Sequence, residues 1–161
     1  MAAVEQEKKD QIVHLVTFRL GEGLYGIDIL LVQEINRLMQ ITRVPNAPSF
    51  VEGVMNLRGR VIPVLDMRKR MSLPDRKMDE KNRIMVVNLS GQCAGFIVDS
   101  VEEVLRIPAS IVDPPPVLST QTETEFVKGI GRLQNNILLI ILDFTKLLSF
   151  KEHEELKTVA K

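Results

Sequence analysis

The 161-residue chain has no tryptophan, one tyrosine, one cysteine, two histidines and no net charge. Each scarcity narrows what it can be. A single cysteine, Cys93, excludes an intramolecular disulfide and points to a reducing compartment. Zero net charge gives no overall field toward nucleic acid or an anionic membrane. No apolar run approaches the roughly 20 residues of a membrane-spanning helix; the longest, Ile137 to Leu142, has the length of a strand. The opening stretch MAAVEQEKKDQ lacks the apolar core of a signal peptide. A cytoplasmic protein is therefore expected. His14 and His153 stand far apart with no Cys or His beside either, so no metal site is expected by spacing.

What the chain does have is a repeat. Phe50 to Asp66 reads FVEGVMNLRGRVIPVLD, and Phe126 to Asp143 reads FVKGIGRLQNNILLIILD, 76 residues on. An earlier pair, Gly26 to Ile35 against Gly95 to Val104, is displaced by 69. The matches keep their order, which implies two copies of one small unit. Apolar positions held in both copies report a shared core; polar positions present in one copy are the better candidates for function.

Short apolar bursts separated by turn residues predict strands at His14–Leu20, Leu24–Asp28, Val54–Leu57, Arg60–Leu65, Arg83–Leu89, Cys93–Val98, Gly129–Leu133 and Ile137–Leu142. Asp28, Asp66 and Asp143 are placed to cap short helical turns. Ser100 with Glu103 has the spacing of a capping box. Pro63, unable to donate a ladder hydrogen bond, predicts an edge or bulged strand. Residues 1–11 read as a loose tail and 151–161 as a charged one. The first barrel is expected over about 12–72 and the second over about 83–150, with 72–82 between them and strand exchange at the seam. Strands this short and numerous suit small barrels that close their own edges. The expected class is all-β: two five-stranded barrels, related by duplication, packed on a shared apolar core with short helices.

Motifs that suggest chemistry have plainer readings. Gly21-Glu22-Gly23-Leu24-Tyr25-Gly26 matches GxGxxG, but a strand follows where a dinucleotide site needs a helix, and residues 41–50 hold no acid for a ribose. A hairpin turn is the better account. Cys93 has no activating base near it in sequence and reads as a small core residue. Asp28 and Asp99 read as duplicated helix caps. Nothing in the chain suggests catalysis, and no cofactor is expected. Residues 58–81 hold eight basic side chains against four acidic ones, which raises a small-barrel nucleic-acid binder as the alternative function. That stretch contains no aromatic residue on which bases could stack. The copies differ most at the hairpin tip, where Arg58-Gly59 faces Gln134-Asn135 and Pro63 faces Leu139. An arginine there can meet a carboxylate or carbonyls of a partner through charge-assisted hydrogen bonds.

These same stretches carry a family likeness: Tyr25-Gly26-Ile27-Asp28-Ile29, Val32-Gln33-Glu34-Ile35, Phe50 to Gly59 with its Asn56-Leu57-Arg58-Gly59 tip, Val61 to Asp66, Phe96 to Asp99, and Gly129-Ile130-Gly131. Over roughly residues 12–150 the chain resembles the CheW family of chemotaxis coupling proteins. The resemblance implies two five-stranded SH3-like barrels and a non-enzymatic adaptor. Such an adaptor links the helical cytoplasmic tips of transmembrane chemoreceptors to the regulatory domain of the histidine kinase CheA. It also implies recruitment to membrane receptor arrays without insertion into the membrane. Carried over by motif, Arg58 and Glu34 become receptor contacts, with Ile29, Val32, Asn56 and Leu57 beside them. Val32, Gly53, Arg43, Val44 and Pro45 become kinase contacts. The kinase's own regulatory domain shares the fold; Met1 and the short tails favour a free-standing adaptor.

Overall fold

The computed structural model describes residues 11–116 and 126–147; the expected tails, apart from Gln11, and residues 117–125 of the long loop of the second copy, lie outside them. Among the described residues eleven strands run β1 Ile12–Leu20, β2 Gly23–Asp28, β3 Val32–Arg37, β4 Val51–Leu57, β5 Arg60–Asp66, β6 Arg83–Leu89, β7 Gln92–Val98, β8 Ser100–Pro108, β9 Val112–Asp113, β10 Val127–Arg132 and β11 Leu138–Leu142. They form a five-stranded sheet, β3-β6-β7-β5-β4, and a six-stranded one, β8-β1-β2-β11-β10-β9. The two-residue β9 is the sixth strand of the second sheet, a short continuation of β8 beyond a 3-10 turn at Ala109–Ile111.

The sheets do not divide where the sequence copies divide. β1 pairs with β8, β2 runs parallel to β11, and β6–β7 join β3 and β5. Each copy thus gives its first hairpin to the barrel completed by the other. The expected boundaries of 12–72 and 83–150 are corrected accordingly: strand exchange takes whole hairpins, so the first barrel draws on Val32–Val98 and the second on the strands flanking that stretch.

Exchange explains why these strands read as nearly continuous apolar runs. Along β6, Ile84 and Val86 enter a core inside the first barrel with Met55, Ile62, Val64 and Ile97, while Met85 and Val87 enter a larger core between the barrels. Leu15, Ile107, Leu139 and Ile141 fill the second barrel. Successive side chains of a strand point to opposite faces, and here both faces are buried. The core between the barrels contains an aromatic chain: Phe18 lies 5.9 Å from Tyr25 and 6.1 Å from Phe144, which meets Phe96 at 4.9 Å. Burying one side chain of this size contributes about 2–3 kcal/mol, and neither thin barrel could hide these residues by itself.

Local signals held where they depended on near neighbours. The carboxylates of Asp28, Asp66 and Asp143 accept from the amides of Leu30, Arg68 and Thr145 and open a 3-10 turn at Ile29–Leu31, the helix Met67–Arg70 and a 3-10 turn at Phe144–Lys146. The GxGxxG stretch is the β1–β2 turn and its return strand. Where tertiary pairing competes, three expectations change. Ser100–Glu103 begins β8 and caps nothing, because β1 lies alongside and the Thr17 hydroxyl donates to the Glu103 carbonyl at 2.7 Å. Asp99 is not a second copy of Asp28: the displacement of 69 sets Asp28 against Ile97, and Asp99 caps no helix. Pro63 lies on β5, between β7 and β4, away from any sheet edge. It fits because the parallel ladder to β7 begins one residue later, at Val64↔Gly95. The second hairpin also carries one more residue at its tip than the first. The register Gly53↔Val64 corresponds to Gly129↔Ile141, so Pro63 faces Ile140 and not Leu139.

Candidate functional site

Asn56-Leu57-Arg58-Gly59-Arg60 makes a two-residue hairpin turn in the first barrel. Arg58 and Gly59 both have positive φ, 53° and 83°, the requirement of a two-residue turn that matches strand twist. The Asn56 side-chain oxygen accepts from the Gly59 amide at 2.9 Å and holds the turn closed. Arg58 is thereby projected outward, its side chain 80% exposed.

Across from it stands Glu34 on β3. The Arg58 Nη1 to Glu34 Oε2 distance is 3.2 Å. The other Glu34 oxygen accepts from the Asn36 side-chain amide at 2.7 Å, so the carboxylate is aimed before any partner arrives. Sheet order gives this pair its meaning: β3 and β4 are the two ends of the five-stranded sheet, and the ion pair spans the opening between them. A second closure lies nearby. Thr42 and Val54 exchange two backbone hydrogen bonds of 2.8 Å each, tying the chain that returns from β3 onto β4. Gly53 makes that approach possible, since a Cβ there would sit 2.2 Å from the Thr42 carbonyl oxygen.

The sequence-predicted residues fall into two groups. Arg58, Glu34, Asn56, Leu57 and Val32 gather about the hairpin tip and β3; Leu57 is half-buried against the first barrel's interior and Val32 against the core between barrels. Ile29 sits in the connection that carries the chain from the second barrel to the first, packed on the same inter-barrel core. Arg43, Val44 and Pro45 lie on the return segment, lining with Asn46–Ser49, Val51, Glu52 and Lys69 a shallow pocket of about 330 Å³. On its rim Lys69 and Glu52 pair at 2.6 Å, and the Glu52 carboxylate raises the Lys69 ammonium pKa. Gly53 is buried and shapes the strand beside the return segment.

Two features escaped the sequence. Exposed apolar side chains on the first barrel are one: Ile35 on β3, Val61 on β5, and Leu38 and Met39 just after β3; the alternation along β3 was the available signal for Ile35. Asp99 is the other. Its buried carboxylate accepts from the Gly21 amide and from Arg68 Nε, each at 2.8 Å. Burial by itself would raise its pKa; the Arg68 guanidinium and the Gly21 amide outweigh that and hold it below the usual range. No local pattern announces a contact between residues so far apart. The structure also accounts for much of the basic stretch over 58–81: Arg58, Arg68, Lys69 and Arg76 are all in ion pairs. Cys93 is buried, with its thiol 3.2 Å from Gln33 Oε1.

Among the described residues no group of three or more His, Cys, Asp or Glu side chains is placed to hold a metal ion, and no helix is long and apolar enough to cross a membrane. What the site can do is bind: an aimed arginine beside a fixed carboxylate suits charge-assisted contact with a protein surface.

Comparison with known proteins agrees with the geometry. The model of the CheW-like domain matches residues 14–152. The Chemotaxis protein CheW of Klebsiella aerogenes is 40% identical over 144 residues, covering 89% of this chain and 86% of that one. The Chemotaxis protein CheW of Treponema pallidum is 36% identical over 151 residues, covering 91% and 88%. The crystal structure of the scaffolding protein TtCheW from Thermoanaerobacter tengcongensis superposes with a TM-score of 0.80 at 39% identity, over 88% of this chain and 96% of that one. With its two exchanged barrels and its Asn-Leu-Arg-Gly hairpin, the chain belongs to the CheW-like domain family.

Proposed function

We propose that this protein is a non-enzymatic adaptor that couples transmembrane chemoreceptors to the histidine kinase CheA, working in the cytoplasm at membrane receptor arrays. The observation that carries the reading is the Arg58–Glu34 pair: a cation 80% exposed on a rigid two-residue turn, held by a carboxylate that is itself held by Asn36. An exposed pair of this kind contributes at most about 1 kcal/mol to stability. A surface this ordered therefore serves recognition better than it serves folding.

In this reading a helical receptor tip meets Arg58 and Glu34, with Val32, Ile29, Asn56 and Leu57 framing them. The kinase's regulatory domain meets Val32 and the Arg43–Pro45 segment around the shallow pocket. The adaptor supplies binding energy and geometry, and the chemistry belongs to the kinase. Arg58→Glu tests the receptor half. In membranes reconstituted with receptor and kinase, the variant is expected to lose receptor-stimulated kinase activity while keeping its circular dichroism spectrum. Activation at the wild-type level would overturn the assignment.

A further inference from the structure

The chain passes between the barrels twice, and the two passages are built differently. From β2 to β3 it crosses through Ile29–Leu31, where the only side-chain cap is Asp28 on the Leu30 amide and Leu30 itself is 88% exposed. From β7 to β8 it crosses through Asp99, the position that the displacement of 69 sets against Leu30.

Asp99 is gripped from both barrels. Its amide donates to the Arg19 carbonyl on β1 at 3.0 Å, and its carboxylate accepts from the Gly21 amide of the β1–β2 turn; both belong to the second barrel. Two nitrogens of Arg68, on the helix that follows β5 of the first barrel, donate to the same carboxylate. The segment between β5 and β6 is drawn in as well. Arg68 Nη1 donates to the Pro74 carbonyl at 2.8 Å, Arg76 lies 3.6 Å from Asp99, and the buried Asn82 donates to the Val98 carbonyl at 3.2 Å.

The apolar core between the barrels holds them together, but apolar burial is non-directional. A guanidinium bound through two nitrogens is directional, so it can fix an angle that the core leaves open. We propose that Asp99 is a positioning residue: with Arg68 and the Gly21 amide it clasps the barrels at one crossover and sets their relative orientation, on which the docking of a receptor tip depends. The last clause rests on the function proposed above; the clasp itself does not.

The experiment reads the two separately. Spin labels at Ser90→Cys on the first barrel and Ser110→Cys on the second, in a Cys93→Ala background, report the inter-barrel distance distribution. Titration with a soluble receptor-tip fragment reports docking. Asp99→Asn and Arg68→Met are expected to broaden the distribution and to weaken docking about tenfold, with Arg68→Lys intermediate because it keeps the charge and loses the fork. Ile141→Val, in the second barrel's interior, is the control that lowers the melting temperature and leaves both readouts in place. If Asp99→Asn does not fold, the two Arg68 variants decide. An unchanged distance distribution and unchanged docking in folded clasp variants would overturn the proposal. A wild-type protein that does not dock the fragment would overturn the proposed function, and the distance measurement would still decide the clasp.

Discussion

The two late hairpins, β4–β5 and β10–β11, began as one design and now differ at the tip. Their bases remain alike. Gly53 and Gly129 each leave room for a passing chain, the carbonyls of Phe50 and Phe126 each accept from the amide of the capping aspartate at 2.8 Å, and Leu57 and Leu133 each pack on a barrel interior. At the tips, Arg58-Gly59 makes a two-residue turn and Gln134–Asn136 a three-residue one. Arg58 reaches Glu34; their counterparts Gln134 and Glu103 line an open groove of about 650 Å³ with Leu24, Leu105, Ile107, Leu133 and Ile137. At the base Phe, Val, Gly and Leu recur in both copies (Phe50/Phe126, Val51/Val127, Gly53/Gly129, Leu57/Leu133), where backbone and core are closely packed. The tip was free to change because it faces water, and the first copy used that freedom to present a cation.

The comparison can be broken at its base first. Gly53→Ala is expected to destabilise by about 3 kcal/mol or more, since its Cβ would meet the Thr42 backbone and backbone cannot rotate away. Gly129→Ala should lose only about 1–2 kcal/mol, because its nearest neighbour is the Val112 side chain at 2.8 Å, with the Asp113 carbonyl at 3.0 Å. Urea denaturation of both variants checks the order, and equal losses would mean that the two glycines are equally constrained and the Thr42 closure adds nothing special.

A second expectation concerns pH and the crossovers. The Asp99 pKa is lowered in the folded state, so its stabilisation is complete above the unfolded value of about 4 and is lost as pH falls through the lower folded value. The stability difference between wild type and Asp99→Asn should therefore be largest at neutral pH and shrink below about pH 4. Burial raises the Asp66 pKa, so protonation there opposes the acid loss; Asp66 is present in both proteins and drops out of the difference. A pH-independent difference would mean that Asp99 acts without its charge.

The smallest effect is the ion pair itself. A double-mutant cycle on Arg58→Ala and Glu34→Ala should give a coupling of at most about 1 kcal/mol in thermal melts, since the arginine is largely solvated. A larger value would make the pair a structural closure of the first barrel and weaken its reading as a docking surface.

Much of this was legible along the chain because it depends on neighbours. Asp28, Asp66 and Asp143 cap the turns beside them, Arg58-Gly59 closes a hairpin between flanking strands, and the Phe50 and Phe126 repeats announce two barrels. The Ser100–Glu103 pattern misled because a capping box describes only four residues, while β1, more than 80 positions away, provides the hydrogen bonds that make the segment a strand. The candidate site was half legible. Arg58 stood out by the asymmetry of the repeat and Glu34 by family likeness, but the 3.2 Å pairing that gives both a single purpose depends on where β3 and β4 end up in the sheet.

The sequence alone determined the units: short strands from alternating apolar residues, turns from Gly and Asn, caps from Asp, and a duplication that requires two similar barrels. Local backbone preference and side-chain period suffice for these. Only the tertiary structure decided which hairpin completes which barrel, since either partner satisfies the same pattern and the choice is made by burying both faces of β1, β2, β6 and β7 at once. It also made Asp99 the meeting point of Gly21 and Arg68, because a buried carboxylate requires partners and the fold brings them from distant parts of the chain.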